Sequence, residues 1–241
     1  MGFRPGEVVL CGLLLALGFG AAGYFVSNTL VNSEVGVNVA EGRGLAERRV
    51  QADVAYWEIR YALADRQRSN LARLYERSAE AEERIVNLLV AEGLERKAIQ
   101  TGALDYDYQE YRNEGQELID EKHILRGVVA VETEQVALVP KLRSALNRLV
   151  AEGLPLTNLP PRYRFTGLND IKPDMLREAT TNAREAANEF ASNAGVRVGG
   201  IRSARQGSFV IRDVGSDYDD SGRIDKTVRV VTTTSFYLTE G

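Results

Sequence analysis

From Asn169 to Gly195 the chain carries its apolar residues at helical spacing and makes most of them small, which constrains the fold more than any other segment. Asn169 or Asp170 can cap the first turn, Pro173 sits where a missing backbone donor does no harm, and Gly195 closes the run. The spacing predicts a helix over 170–194 with Leu176, Ala179, Ala183, Ala186 or Ala187 and Phe190 on one face. Whatever packs on that face approaches closely, as a sheet under a lid would. The sheet is expected in VRVGGIRSARQGSFVIR, residues 196–212, and in KTVRVVTTTSFYL, residues 226–238. In the second of these Val228, Val230, Thr232, Thr234, Phe236 and Leu238 alternate with the other face.

The preceding body reads as further strands and helices. A long strand is expected from about Val50 to Leu63. Val50, Ala52, Val54 and Tyr56 hold one phase, then Trp57, Ile59, Tyr61 and Leu63 hold the other. A change of phase means that the buried face has switched, through a bulge or a bend between layers. Leu71, Leu74, Ala81, Ile85 and Leu88 mark a helix ending at Gly93, and a second helix is expected at 138–152. Between them lie the strands IQTGALDYDYQEY and HILRGVVAVET. NLLVAEGL at 87–94 recurs as NRLVAEGL at 147–154, which suggests two related β-α-β units; convergence of two Gly-capped helix ends is the competing account. The fold class is α+β, with a largely antiparallel sheet and packed helices.

Residues 8–26 form an uncharged run long enough to cross the roughly 30 Å hydrocarbon core as a helix, with Tyr24 and Phe25 at its exit. Residues 1–33 are therefore expected to be a cytoplasmic tail, a transmembrane anchor in the lipid bilayer and a linker, with the body at 34–241. A cleaved signal peptide is the competing reading, since Ala21, Ala22 and Gly23 could serve as its small-residue cleavage site. Arg4 before the run leaves the tail inside and the body outside. Gly12, Ala16 and Gly20 fall on one stripe, a pattern that lets transmembrane helices approach each other.

The net charge of -4 and the absence of a basic stripe argue against nucleic acid as a partner. The single cysteine, Cys11, excludes an intramolecular disulfide and a paired-cysteine zinc site. Asp217, Asp219 and Asp225 resemble part of a calcium loop, but Val228 stands where the bidentate Glu should be, so a solvated acidic turn is expected. His123 is the only histidine and reads as a surface or pairing residue. Tyr106, Tyr108 and Tyr111 read as a half-buried sheet face or, alternatively, as a stacking surface for a ligand. Asp105, Asp107 and Glu110 are the carboxylates that an enzyme would have to bring together. Gly199 and Gly200 suggest a bulge or a close backbone approach. No catalytic, cofactor-binding or metal residue is assigned.

LNDIKP at 168–173, NAREAA at 182–187, RVGGIR at 197–202 and KTVRVVTT at 226–233 closely resemble the SIMPL-domain family, and GRGLAERRVQADVAYW at 42–57 does so more weakly. The resemblance covers nearly all of the chain after about residue 35. It implies a bacterial periplasmic or membrane-anchored protein with an envelope or stress role; together with the run at 8–26 and the lack of a catalytic constellation, the reading is a non-enzymatic single-pass protein of the inner membrane with its body facing the periplasm. It also implies a homo-oligomer, ring-like or channel-like in some relatives. The alternative is a periplasmic binding module for a small apolar or peptide ligand, expected to show a closed pocket lined by the Tyr106 and Tyr108 face.

Overall fold

Trp57, Ile59, Tyr61 and Leu63 alternate along strand β2 (Val54–Asp65), and all four are buried. Their partner is β5 (Leu118–Thr133), antiparallel from Ala55 opposite Thr133 to Asp65 opposite His123. The apolar face of that ladder has to be covered, and two amphipathic helices supply the cover. Helix α2 (Leu71–Ala91) contributes Leu74, Ala81, Ile85 and Leu89, and α3 (Val139–Ala151) contributes Val139, Leu142, Leu146 and Leu149, to one core with β2 and β5. Short strands β3 (Ile99–Thr101) and β6 (Leu156–Asn158) complete the order β3-β5-β2-β6. Strand, helix, strand, strand, helix, strand in that order is the split β-α-β arrangement. Two additions flank it: β4 (Asp105–Arg112) pairs with β5, and β7 (Arg162–Arg164) pairs with β2.

The repeated VAEGL closes both helices in the same way. Gly93 N donates to Val90 O and Leu94 N to Leu89 O, each at 3.0 Å, while Gly153 N donates to Val150 O at 3.0 Å and Leu154 N to Leu149 O at 2.9 Å. Gly93 and Gly153 have φ of +104° and +91°, the left-handed region that favours glycine. The glutamates before them reach across to the other helix. Glu92 pairs with Lys141 and Arg148 of α3, and Glu152 accepts from Arg84 of α2 at 2.6 Å.

The computed structural model describes residues 5–30, 38–218 and 220–240. It divides into two compact units, one made of Met1–Ala46, Asp174–Ser208 and Val230–Gly241, the other of Glu47–Pro173 and Phe209–Arg229. The α2 and α3 layer with its sheet lies in the second. That unit also holds β9 (Val210–Asp213), which pairs with the start of β10 (Asp225–Glu240).

In the first unit β10 lies between β1 (Val39–Gln51) and β8 (Val196–Gln206), and helix α4 (Leu168–Asn193) carries the expected small-residue face. Met175, Ala179, Ala183, Ala187 and Ala191 are its buried residues, a strict repeat of four. Phe190, expected on that face, is 61% exposed, and Ala186 is exposed too. An i, i+4 seam leaves both one position off the contact line. Small residues are required because Gly42 and Gly44 of β1 bring backbone against backbone. A Cβ on Gly42 would stand 1.9 Å from Ala183 O, and one on Gly44 1.8 Å from Ala179 O. Asn182 Nδ2 donates to Leu45 O at 2.7 Å across the same seam.

The strand expected as continuous from Val50 is two strands. β1 ends at Gln51 and β2 begins at Val54, which is the physical source of the phase change. Asp53 fixes the break: its carboxylate accepts from Thr166 N at 2.8 Å, Thr166 Oγ1 at 2.9 Å and Gly167 N at 3.1 Å. The bulge expected at Gly199 and Gly200 is present. Phe236 pairs with Ile201 and Leu238 with Val198, so the register slips between them.

Helix α1 spans Pro5–Leu30. Among the described residues no helix is long and apolar enough to cross a membrane. Side chains 8–11 and 13 of the expected span lie outside those described, so that statement covers the run only in part.

The α4 seam has no room to spare, so Ala183→Leu is expected to cost roughly 1–3 kcal/mol through overpacking. Thermal denaturation checks it, and an unchanged melting temperature would mean that α4 is not locked on β1.

Candidate functional site

The three tyrosines of β4 form the half-buried sheet face expected of them, and Tyr106 and Tyr108 spend their hydroxyls on β5 side chains rather than on a ligand-stacking surface. Alternation on β4 puts Tyr106, Tyr108 and Glu110 on one side and Asp105, Asp107 and Tyr111 on the other. Tyr106 Oη is hydrogen-bonded to His123 Nδ1 at 2.7 Å. The Tyr108 ring stacks on the imidazole at 4.9 Å, and its hydroxyl donates to Glu121 Oε2 at 3.1 Å. Of the two roles expected for His123, surface or pairing, the structure shows pairing, with the side chain only 2% exposed. It is buried because β4 covers it, directly opposite Tyr108 in the ladder. Its Nε2 has no hydrogen-bond partner among the described residues and lies 3.5 Å from Glu121 Oε1. Desolvation, then hydrogen bonding to Glu110 and Glu121, pushes the Tyr108 phenol up to about 12. The Tyr108 hydroxyl in turn holds the Glu121 carboxyl below its usual range.

The three candidate carboxylates do not converge. Asp105 and Asp107 both turn to Arg126, at 3.7 and 2.9 Å, and Glu110 pairs with Arg112 at 2.8 Å on the other side of the strand. The guanidinium of Arg126 holds Asp107 below the usual carboxylate range, and that of Arg112 does the same for Glu110. A general acid at neutral pH needs the opposite shift. A cleft of about 660 Å³ beside them is lined by Arg60, Asp105, Arg126 and Thr157 and by neither Tyr106 nor Tyr108. A second cleft, of about 630 Å³, has Arg60, Arg162 and Arg164 facing Glu58 and Asp220. Its tyrosine is committed as well: Arg164 Nη2 donates to Tyr56 Oη at 2.6 Å, and Tyr56 Oη donates to Glu132 Oε1 at 2.9 Å. The first cleft sets two arginines against one carboxylate and the second three against two, so each carries a single excess positive charge.

The acidic turn is organised by a lysine. Lys226 and Asp213 are both buried and form an ion pair. Asp213 Oδ2 accepts from Gly222 N at 2.8 Å and Arg223 N at 2.9 Å, and Lys226 Nζ also donates to Asp220 O at 2.8 Å. The ammonium thus does for this loop what a bound cation would do for a calcium loop. Among the described residues no group of three or more His, Cys, Asp or Glu side chains could hold a metal ion. Asp219 of the expected trio lies outside those residues, and Asp225 accepts from Gln51 Nε2 at 3.5 Å. The signal for the knot was present in the sequence: Lys226 keeps phase with the buried Val228 and Val230.

On α1, Gly12, Ala16 and Gly20 are exposed, and a Cβ added at Gly12 or Gly20 would meet nothing within 4 Å. A family model, SIMPL, described as a protein of unknown function, matches residues 41–232. No curated protein matches the chain.

Lys226→Met leaves Asp213 buried and unpaired, an expected loss of about 3–5 kcal/mol. Replacing both residues by apolar ones should cost less, which denaturant titration of the two variants would resolve. Ultraviolet titration should find one tyrosine ionising near 12, shifted downward in Glu121→Gln. Because folding raises that phenol, the stability it contributes is present below pH 10 and is lost as pH climbs toward 12.

Proposed function

The chain belongs to the SIMPL family, and from that premise we propose a non-catalytic protein anchored in the bacterial inner membrane by residues 8–26, its body facing the periplasm and assembling with copies of itself as an envelope scaffold. The observation that carries the reading is the surface of α1. From Leu14 to Val26 its described side chains are apolar and open, with Leu14 at 62%, Phe19 at 76% and Phe25 at 69% exposure. Soluble proteins rarely leave such a surface uncovered, and a helix apolar on all sides is suited to lipid. The Gly12, Ala16 and Gly20 stripe offers parallel anchors a close packing line.

The direction of the carboxylate shifts supports a role without proton-transfer chemistry. Asp107 and Glu110 are held ionised by their arginines, and the Tyr106 and Tyr108 hydroxyls are bonded to His123 and Glu121. The binding-module alternative gains nothing from these groups, since the tyrosines that would line its pocket line neither cleft described.

The full-length protein is expected to remain in the membrane pellet after alkaline carbonate washing, while deletion of residues 1–30 releases the body. Protease added outside the inner membrane should digest the body. An intact mass placing the mature amino terminus between Ala22 and Val35 would refute the anchor, and digestion only from the cytoplasmic side would refute the orientation.

A further inference from the structure

Among the described residues three long strands lie at sheet edges: β1, β4 and β8. The remaining edge strands are only three or four residues long, which is itself a protection against pairing with another chain. β1 carries both signs of charge, with Arg43 paired to Glu41, and the Leu45 carbonyl already accepts from Asn182. The other two are different. β8 bears Arg197, Arg202 and Arg205 with no acidic residue, and none of the three guanidinium groups has a carboxylate within ion-pair distance among the described residues. β4 and the hairpin it forms with β5 carry seven carboxylates against three Lys and Arg side chains between residues 105 and 126.

We infer that β8 of one copy adds to the edge of β4 in the next, so that the self-assembly proposed above, on which this inference rests, runs head to tail through strand pairing. Charge selects the partners. β8 against a second β8 would place arginine beside arginine, and β4 against β4 would place carboxylate beside carboxylate. Like charges across a ladder are unfavourable, and opposite ones are favourable. Only β8 on β4 satisfies both edges. The contact surfaces match in kind as well. Tyr106, Tyr108 and Tyr111 are 40–48% exposed along β4, flat π faces on which arginine side chains stack. Ile201, 48% exposed on β8, offers an apolar neighbour. Because the two surfaces differ, each copy uses one and leaves the other free, the heterologous contact that builds rings or filaments rather than closed dimers. Main-chain bonds supply the affinity in such strand addition, and side chains set the choice of partner.

The test reverses each edge in the full-length protein in detergent. One variant carries R197E, R202E and R205E on β8. The other carries D105R and D107R on β4, with R126E to preserve the internal ion pairs. Each variant alone presents two edges of one sign and is expected to assemble at least about tenfold more weakly than wild type. Mixed in equal amounts, the two present complementary edges again and should co-assemble in alternation, read by light scattering. Wild-type assembly should also weaken as salt rises from about 0.1 to 1 M, since the screening length falls from ~10 to ~3 Å. Variants that assemble alone as wild type does would overturn the pairing. So would a mixture that stays monomeric while both variants keep the wild-type melting temperature, or a wild-type assembly indifferent to salt. A wild type that is itself monomeric refutes the self-assembly reading first, a result distinct from the others.

Discussion

Open antiparallel sheets must end somewhere, and the unmet backbone groups at those ends are the constraint from which most of this protein follows. β2 and β5 share eleven consecutive residue pairs, enough to define one broad apolar face. That face is covered by α2 and α3, while the edges are met by short strands on the β2 side and by β4 on the β5 side. Covering the face and shortening the edges are separate solutions to separate costs, burial of apolar area and satisfaction of backbone donors. Where the chain leaves a long edge, as at β8, it lines that edge with arginine.

Two other features show polar groups used as internal fasteners. Lys226 and Asp213 are buried together because the turn between β9 and β10 uses both charges: the ammonium donates to the Asp220 carbonyl, and the carboxylate accepts from the Gly222 and Arg223 amides. A buried pair of this kind adds little net stability, yet it is costly to break on one side only, so it fixes a conformation more than it strengthens the fold. His123 is treated similarly. Tyr106 and Tyr108 enclose it, and the price of the arrangement is one imidazole nitrogen with no hydrogen-bond partner among the described residues.

Much of the fold was legible in the sequence because it is local. The Gly-capped ends of α2 and α3, the alternation along β10 and the bulge at Gly199 are each written in a few adjacent residues. Other features required the partner to be known. Gly42 and Gly44 carry no signal until Ala179 and Ala183 are seen to lie against them, and Phe190 looked buried because helical spacing alone tolerates an error of one position. His123 left two roles open, surface or pairing, because the strand that covers it, β4, is rich in polar groups and gives no sign of burying anything. Lys226 was overlooked because a lysine in strand phase is ordinarily read as an interruption, not as the occupant of the buried position. The division at Ala52 and Asp53 was visible as a change of phase, but what held it, the Asp53 contacts to Thr166 and Gly167, spans more than a hundred residues of sequence.

The exposed apolar side chains of α1 and the oppositely charged edges of β8 and β4 support the proposal that this chain works as one subunit of several. The mass of the detergent-solubilised full-length particle, taken with an image of it, measures that claim most directly. The account predicts a defined multiple of 26.6 kDa with cyclic outline. A particle of one subunit at micromolar concentration would contradict it.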